Sequence, residues 1–274
     1  MRDSTAPRCV LFGDAMSSRL HKWPLARQSA VAVSEDAGVR FLHIGGDAIQ
    51  SAMRLSKPDR LELHYTRAMM GFLLFHPKPR KVLMIGLGGG SMARFLHKAF
   101  PRSRVTALDV SPEVVAAARR YFDFPADGPR LSVVLEDGAS WVPARPASAD
   151  VILLDAFEDG AQVEALCSES FYTAAFAALT EPGVLVQNFM ADDKKMAARC
   201  ERIERAFGSR VTYIRAADRV NVIAFAFKGG PQRFTWAELR EQAALLTEQY
   251  DLPGDHYLKS LKQLNGGTAR HFDL

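Results

Sequence analysis

Lys81-Val82-Leu83-Met84-Ile85-Gly86-Leu87-Gly88-Gly89-Gly90-Ser91 is the stretch that decides the fold. Four aliphatic residues in a row, bounded by a charge and a glycine, read as a short strand buried on both faces. The glycines make a tight turn, and residues 91–100 carry apolar side chains at helical spacing. Strand, glycine turn and helix in succession open a Rossmann-like unit.

The pattern repeats outward from there. Residues 104–108, 131–135, 149–154 and 183–188 read as further strands. Residues 112–121, 170–179 and 192–207 read as the helices between them, followed by strands near 211–215 and 222–227. Alternating βα units imply a parallel sheet covered on both faces. Thr235-Trp236-Ala237-Glu238 has the form of a capping box and starts a C-terminal helix. Upstream the character changes. Residues 30–33, a turn at Glu35-Asp36-Ala37-Gly38 and residues 39–44 read as a hairpin, and Gly45-Gly46-Asp47 as another turn. Residues 61–75 carry a helical pattern ended by Pro77 and Pro79. Residues 1–27, with Pro7 and Pro24, read as irregular. The expected organisation is an N-terminal segment, 1–76, with a small antiparallel β unit and a linking helix. An α/β Rossmann-like domain follows over 77–274.

The bulk composition limits the functions available. The 274 residues are 48% hydrophobic and 24% charged, enough for a full core. The net charge of +4 is spread along the chain with no basic stripe and interleaved aromatics, which argues against nucleic acid as partner. Cys9, Cys167 and Cys200 are far apart and odd in number, so they read as free thiols of a reducing compartment. No run is long enough to span a bilayer, and Met1-Arg2-Asp3-Ser4 has no apolar signal core. The expected location is the cytoplasm.

Chemistry concentrates at the strand ends. The turn at Gly86 and Gly88 lets main chain approach a ligand, and the helix from Ser91 aims its first amides there. Such a turn by itself also closes ordinary strand–helix junctions. Asp109, about twenty residues on, ends the second strand, where a carboxylate accepts from ribose hydroxyls. It also stands where a helix cap would, although Ser111 can cap instead. Asp137 in Glu136-Asp137-Gly138 ends the third strand, within reach of an adenine amino group. Asp155 ends the fourth. Successive strand ends converge on one crevice, where open α/β sheets bind ligands. His43, His64, His76 and His97 share no metal-ligand spacing, so no metal is expected. Ser168-Glu169-Ser170 reads as a helix start, Met69-Met70 as core, and Gln187-Asn188 as either a crevice pair or a cap.

Taken together, residues 81–90, Asp109-Val110-Ser111-Pro112-Glu113, Glu136-Asp137-Gly138 and residues 150–155 resemble the spermidine synthases, the polyamine aminopropyltransferases. Gly46-Asp47-Ala48-Ile49-Gln50-Ser51 and Leu63-His64-Tyr65 resemble that family's upstream motifs, so the resemblance runs from about residue 31 to residue 227. It implies an N-terminal β domain, a class I methyltransferase-like Rossmann domain and a homodimer. Its cofactor, used as a co-substrate, would be decarboxylated S-adenosylmethionine or S-adenosylmethionine itself, and its partner a small amine. By the same resemblance Gln50 contacts the thioether end, and Gly86, Gly88 and Gly89 cradle the cofactor. Asp109 and Val110 hold the ribose side, Asp137 and Gly138 the adenine. Tyr65, Asp155 and Glu158 carry the catalysis, with Asp155 also touching the cofactor.

Two positions depart from the family. Its glycine loop carries an aspartate where this chain has Gly89. That carboxylate pairs with an aminopropyl ammonium and repels the carboxylate of S-adenosylmethionine. Its gate loop carries an aspartate where this chain has Glu158, beside Asp159, and a small residue where this chain has Phe157. An amine arrives protonated, its free pKa being about 10 like that of lysine, so a carboxylate must help it shed a proton. Aminopropyl transfer is the leading expectation. Methyl transfer, favoured by Gly89, and a non-catalytic nucleoside-binding member, favoured by the altered gate loop, are the alternatives.

Overall fold

The computed structural model describes residues 10–11, 31–46, 48–158 and 160–274. Cys9, Asp47, Asp159 and most of the N-terminal stretch lie outside the described residues. Val10–Leu11 (β1) pairs antiparallel with Val31–Asp36 (β2), so a strand lies within the stretch read as irregular. β2 joins Val39–Ile44 (β3) through Ala37 and Gly38, at φ of 46° and 75°. Two successive left-handed residues make the hairpin turn whose twist matches its strands. Ile49–Arg54 (β4) pairs with β3, so the expected hairpin is part of a four-stranded antiparallel sheet.

The helix expected over 61–75 is shorter. His64–Met69 (α1) is α-helical and Met70–Leu74 tightens to a 3₁₀ turn. Gly71, a weak helix former, sits in that turn with Ile214 and Phe225 packed directly over its Cα. Met69 and Met70 are fully buried, as read.

The main sheet follows in chain order. Lys81–Ile85 (β5), Ser91–Ala99 (α2), Arg104–Asp109 (β6), Pro112–Tyr121 (α3) and Leu131–Leu135 (β7) come first. A single-turn helix, Gly138–Trp141 (α4), precedes Ala149–Leu154 (β8). Phe157–Glu158 (β9) and Ala161–Gln162 (β10) then form a small hairpin. Glu169–Ala178 (α5), Leu179–Met190 (β11), Met196–Phe207 (α6), Val211–Arg215 (β12) and Asn221–Lys228 (β13) complete the sheet. The start of α6 is delayed to Met196 because Asp193 turns the chain, its Oδ1 accepting from Lys195 N at 2.8 Å. The C-terminal ribbon and helices are Arg233–Thr235 (β14), Trp236–Tyr250 (α7), Gly254–Leu264 (α8) and His271–Asp273 (β15). The Thr235–Glu238 capping box is present; α8 and the β14–β15 pair had no sequence expectation.

The strand order is β12-β13-β11-β8-β5-β6-β7. β7, β6, β5, β8 and β11 run parallel, but β13 is antiparallel to β11 and to β12. The parallel sheet expected from sequence is present as these five strands, and β12 and β13 add an antiparallel edge to it. A short connection over residues 216–220 links β12 to β13, and such connections join only antiparallel neighbours. Along β5, Val82 and Met84 enter the core under α1, α2 and α7. Leu83 and Ile85 enter the opposite core under α5 and α6. Both faces are therefore covered, which accounts for the unbroken aliphatic run. The N-terminal sheet packs Val31, Val33, Leu42 and Met53 on Val114, Ala117 and Phe122. That contact brings β4 against the glycine turn.

The chain leaves β5 outward to β6 and β7, then returns to β8 on the other side of β5. The ends of β5 and β8 thus form the topological switch point, where a ligand crevice is expected.

Candidate active site

The Gly86 turn and Asp155 meet at the switch point. Asp155 N donates to Ile85 O at 2.9 Å. Gly86 has φ of +90°, and a Cβ there would stand 2.1 Å from the Asp155 carbonyl oxygen. Only glycine fits this crossing of two strand ends.

The Asp155 side chain is held by two partners. Asn188 Nδ2, from the end of β11, donates to Asp155 Oδ1 at 2.9 Å. Tyr65, from α1, lies on its other side and donates its hydroxyl to Gln50 O at 3.1 Å. Burial pushes the Asp155 carboxyl up to about 6, with the Asn188 and Tyr65 contacts pulling the other way. The Tyr65 phenol is pushed well above its ordinary value by burial, then by the charge of Asp155. A carboxylate of this kind is ionised at neutral pH yet takes a proton readily.

Asp109 lies on the far side of the glycine turn. Its Oδ2 accepts from Leu87 N and its Oδ1 from Ser111 N, both at 2.9 Å. Burial raises its pKa, and the main-chain bonds oppose that. The cap of α3 is made by Ser111, whose Oγ accepts from Val114 N at 3.2 Å. Asp109 therefore fastens the turn rather than capping the helix. Asp137 spends Oδ1 on Ala139 N at 2.9 Å, capping α4, while Gly138 packs directly on Ile85. Val110, Leu135 and Ile49 are 71%, 55% and 47% exposed. Val110 follows Asp109, Leu135 pairs with Asp109 across the strands, and Ile49 precedes Gln50. They give the rim of this crevice apolar surface suited to a flat, weakly polar base. The glycine turn, the Asp109 carboxylate and this rim fit an adenosyl group.

Gly88, at φ of +54°, lies beside the Gln50 main chain and presents open backbone. Gly89 is different. A Cβ there would lie 2.7 Å from Ser51 Oγ and 3.0 Å from Phe122. The space that an aspartate side chain needs is occupied by β4, where Ser51 Oγ also sits 3.2 Å from Ser91 Oγ.

Gln50, Tyr65, Gly86, Gly88, Gly89 and Asp155 come together, with Asp109 and Val110 behind the turn and Asp137 and Gly138 one strand further. Glu158 does not join them: it is exposed on β9, facing Ala161. Phe157 is half-buried beside Gln162. Of Gln187-Asn188, both buried, Asn188 meets Asp155, whereas Gln187 donates to Cys167 Sγ. Ser168 starts α5, accepting from Phe171 N at 3.1 Å. Cys167 and Cys200 are free thiols. His64 is exposed, His43 meets Ser34, and His76 faces Asp150. Among the described residues, no cluster of three or more metal-ligating side chains forms, and no helix is long and apolar enough to cross a membrane.

Sequence reasoning missed three contributors. Gln162 is buried on β10, donates through Nε2 to the Asn188 carbonyl and accepts from Arg199 Nη1 at 3.0 Å. Arg199, 3% exposed, also binds Glu164 and Asp193. Asn221 donates to Asn188 Oδ1 at 2.9 Å. Asn221 alone left a trace, a polar residue heading the apolar run of β13; Gln162 and Arg199 look like ordinary surface residues of a loop and a helix.

Fold and site together define a group-transfer enzyme on a Rossmann-like, class I methyltransferase-like sheet. Its particular place follows from comparison with known proteins. The spermine/spermidine synthase domain family matches residues 62–215. The polyamine aminopropyltransferase of Chromobacterium violaceum is 40% identical over 241 residues, 88% of this chain and 92% of that protein. That of Neisseria meningitidis serogroup A is 37% identical over 89% of this chain and 93% of its own length. A probable spermidine synthase from Corynebacterium glutamicum shares the fold, with a TM-score of 0.68 at 20% identity, over 92% of this chain and 99% of that one. The chain belongs to the spermine/spermidine synthase family. Membership favours neither methyl transfer nor a non-catalytic role.

Proposed function

We propose that this enzyme transfers an aminopropyl group from decarboxylated S-adenosylmethionine to a small amine. When bound, the sulfonium cofactor supplies the alkyl group and a thioether leaving group. The observation that carries the reading is the placement of Asp155 between Tyr65 and Asn188 at the switch point, beside the Gly86 turn. Asp155 binds the incoming ammonium as a cation and accepts its proton, so the neutral amine attacks in line. Tyr65 and the Gln50 main chain orient the amine against that carboxylate. Asp109 with Val110 holds the ribose side, Asp137 and Gly138 the adenine, and Gly86, Gly88 and Gly89 the tail. Glu158, exposed on the β9–β10 hairpin, adds negative charge at the amine entrance.

The same reading carries a cytoplasmic homodimer, divided into an N-terminal segment over 1–76 and a catalytic domain over 77–274. Family membership and the two sheets support it, and sedimentation and cell fractionation test it.

Product analysis with putrescine tests the reaction. Aminopropyl transfer releases methylthioadenosine, whereas methyl transfer releases S-adenosylhomocysteine and would overturn the reading. Asp109→Ala tests the ribose assignment: cofactor affinity falls about tenfold or more on calorimetry, as for loss of a charged acceptor.

A further inference from the structure

Asn221 heads β13 and is 5% exposed; its Nδ2 donates to Asn188 Oδ1 at 2.9 Å. Asn188 is 2% exposed, and its own Nδ2 donates to Asp155 Oδ1 at 2.9 Å. The Asn188 main chain is held separately, its carbonyl accepting from Gln162 Nε2, which Arg199 in turn fixes through Oε1. With the backbone pinned, the freedom left to Asn188 includes its terminal amide torsion, which is broad and roughly two-fold.

The acceptors decide which way that amide points. An ionised carboxylate only accepts, so Asn188 must turn its NH₂ toward Asp155 and its oxygen away. That oxygen is buried and needs a donor. Asn221 Nδ2 is the donor in place. A protonated Asp155 has an O–H of its own and no longer demands this arrangement.

We propose that Asn221 is a positioning residue, acting through Asn188 to hold Asp155 ionised and turned toward the amine. Its consequence for rate rests on the aminopropyl-transfer reading; its consequence for the Asp155 titration does not. Asn221 bonds Asn188 and approaches Met190 Sδ at 3.4 Å, so it reaches Asp155 only through the amide. Asp155 is faced by Tyr65 from α1, by Asn188 from β11 and by the Gly86 turn as main chain. The β9–β10 hairpin beside it carries the exposed Glu158. Tyr65 stays protonated across the working range, which leaves the amide as the adjustable partner.

The test follows the pH profile of kcat/KM together with the Asp155 carboxyl resonance, in full-length enzyme labelled with ¹³C-aspartate. The resonance is assigned by its loss in Asp155→Asn. In Asn221→Ala, Asp155 is expected to titrate about one pH unit higher, because the ionised form then leaves the buried Asn188 oxygen without a donor. The acid limb of kcat/KM moves with it, about tenfold in rate below the limb, while cofactor affinity holds. Asn221→Leu, which fills the amide's volume without a donor, gives the same shift and decides the matter if the alanine variant does not fold. An Asp155 titration coincident with wild type in either folded variant overturns the proposal. Wild-type enzyme that makes no aminopropylated product would instead sink the transfer reading, and the resonance would still decide the amide relay.

Discussion

Gly86 and Asp155 cross so closely that a single added methyl on Gly86 would stand 2.1 Å from the Asp155 carbonyl oxygen. One residue ends the first parallel strand and the other ends its neighbour. The glycine turn and the Asp155 main chain are therefore one rigid junction. Gly86→Ala must adopt φ near +90° and displace that carbonyl. A loss of about 2–4 kcal/mol is expected from strain and overpacking combined. Chemical denaturation reads it, and a variant as stable as wild type would contradict the crossing.

Asp155 links activity and stability through pH. Its carboxyl is raised to about 6 by burial, so kcat/KM climbs about tenfold per unit below that value and levels above it. Asp155→Asn lowers kcat by about 10²–10⁴-fold. Stability runs the other way. The folded state holds this proton more tightly than the unfolded chain, so its contribution is full at low pH and lost as pH rises through about 6. Asp155→Asn is therefore more stable than wild type at pH 8, by at most about 3 kcal/mol, and the difference closes by about pH 4. Parallel unfolding curves at the two pH values check the sign.

Gly89 tests why the family's aspartate is missing. Ser51 Oγ would lie 2.7 Å from a Cβ at this position, so Gly89→Asp alone costs about 1–3 kcal/mol and weakens cofactor binding. Combined with Ser51→Gly, the space opens. The double variant regains stability and shifts preference toward decarboxylated over intact S-adenosylmethionine, because the new carboxylate attracts one tail and repels the other. Calorimetry with both cofactors measures this. A single variant that folds and binds like wild type would refute the steric argument.

Arg199 predicts a split in kinetic constants. It ties Gln162, Glu164 and Asp193 together behind the β9–β10 hairpin. Arg199→Gln frees the hairpin without touching the glycine turn. KM for the amine rises about tenfold, while cofactor affinity stays within about twofold. Equal losses in both would show a general structural defect instead.

Much of the architecture is legible in the sequence. The aliphatic runs at residues 82–85 and 151–154 and the helix-spaced residues between them specify βα units, because their periodicity reflects burial directly. Ser111, Ser168 and Thr235 announced helix starts through local hydrogen bonding. Gly86, Asp109 and Asp155 could be read as a site because strand ends in such a sheet converge by construction. The reversal of β13, the break after Met69 and the exposure of Glu158 were not legible. Each depends on what packs across from the residue: a hairpin return, Ile214 over Gly71, and Ala161 opposite Glu158 in a two-strand ribbon.

The sequence alone therefore determined the parallel strands, the helices between them and the glycine turn that joins the first pair, since those follow from residue type and spacing along the chain. Only the tertiary structure decided that Ser51 fills the place beside Gly89, and that Asn221 and Gln162 converge on Asn188 to orient Asp155. Those contacts join residues more than 25 positions apart. A hydrogen bond or a steric limit between such residues exists only once the fold has brought them within a few ångströms of each other.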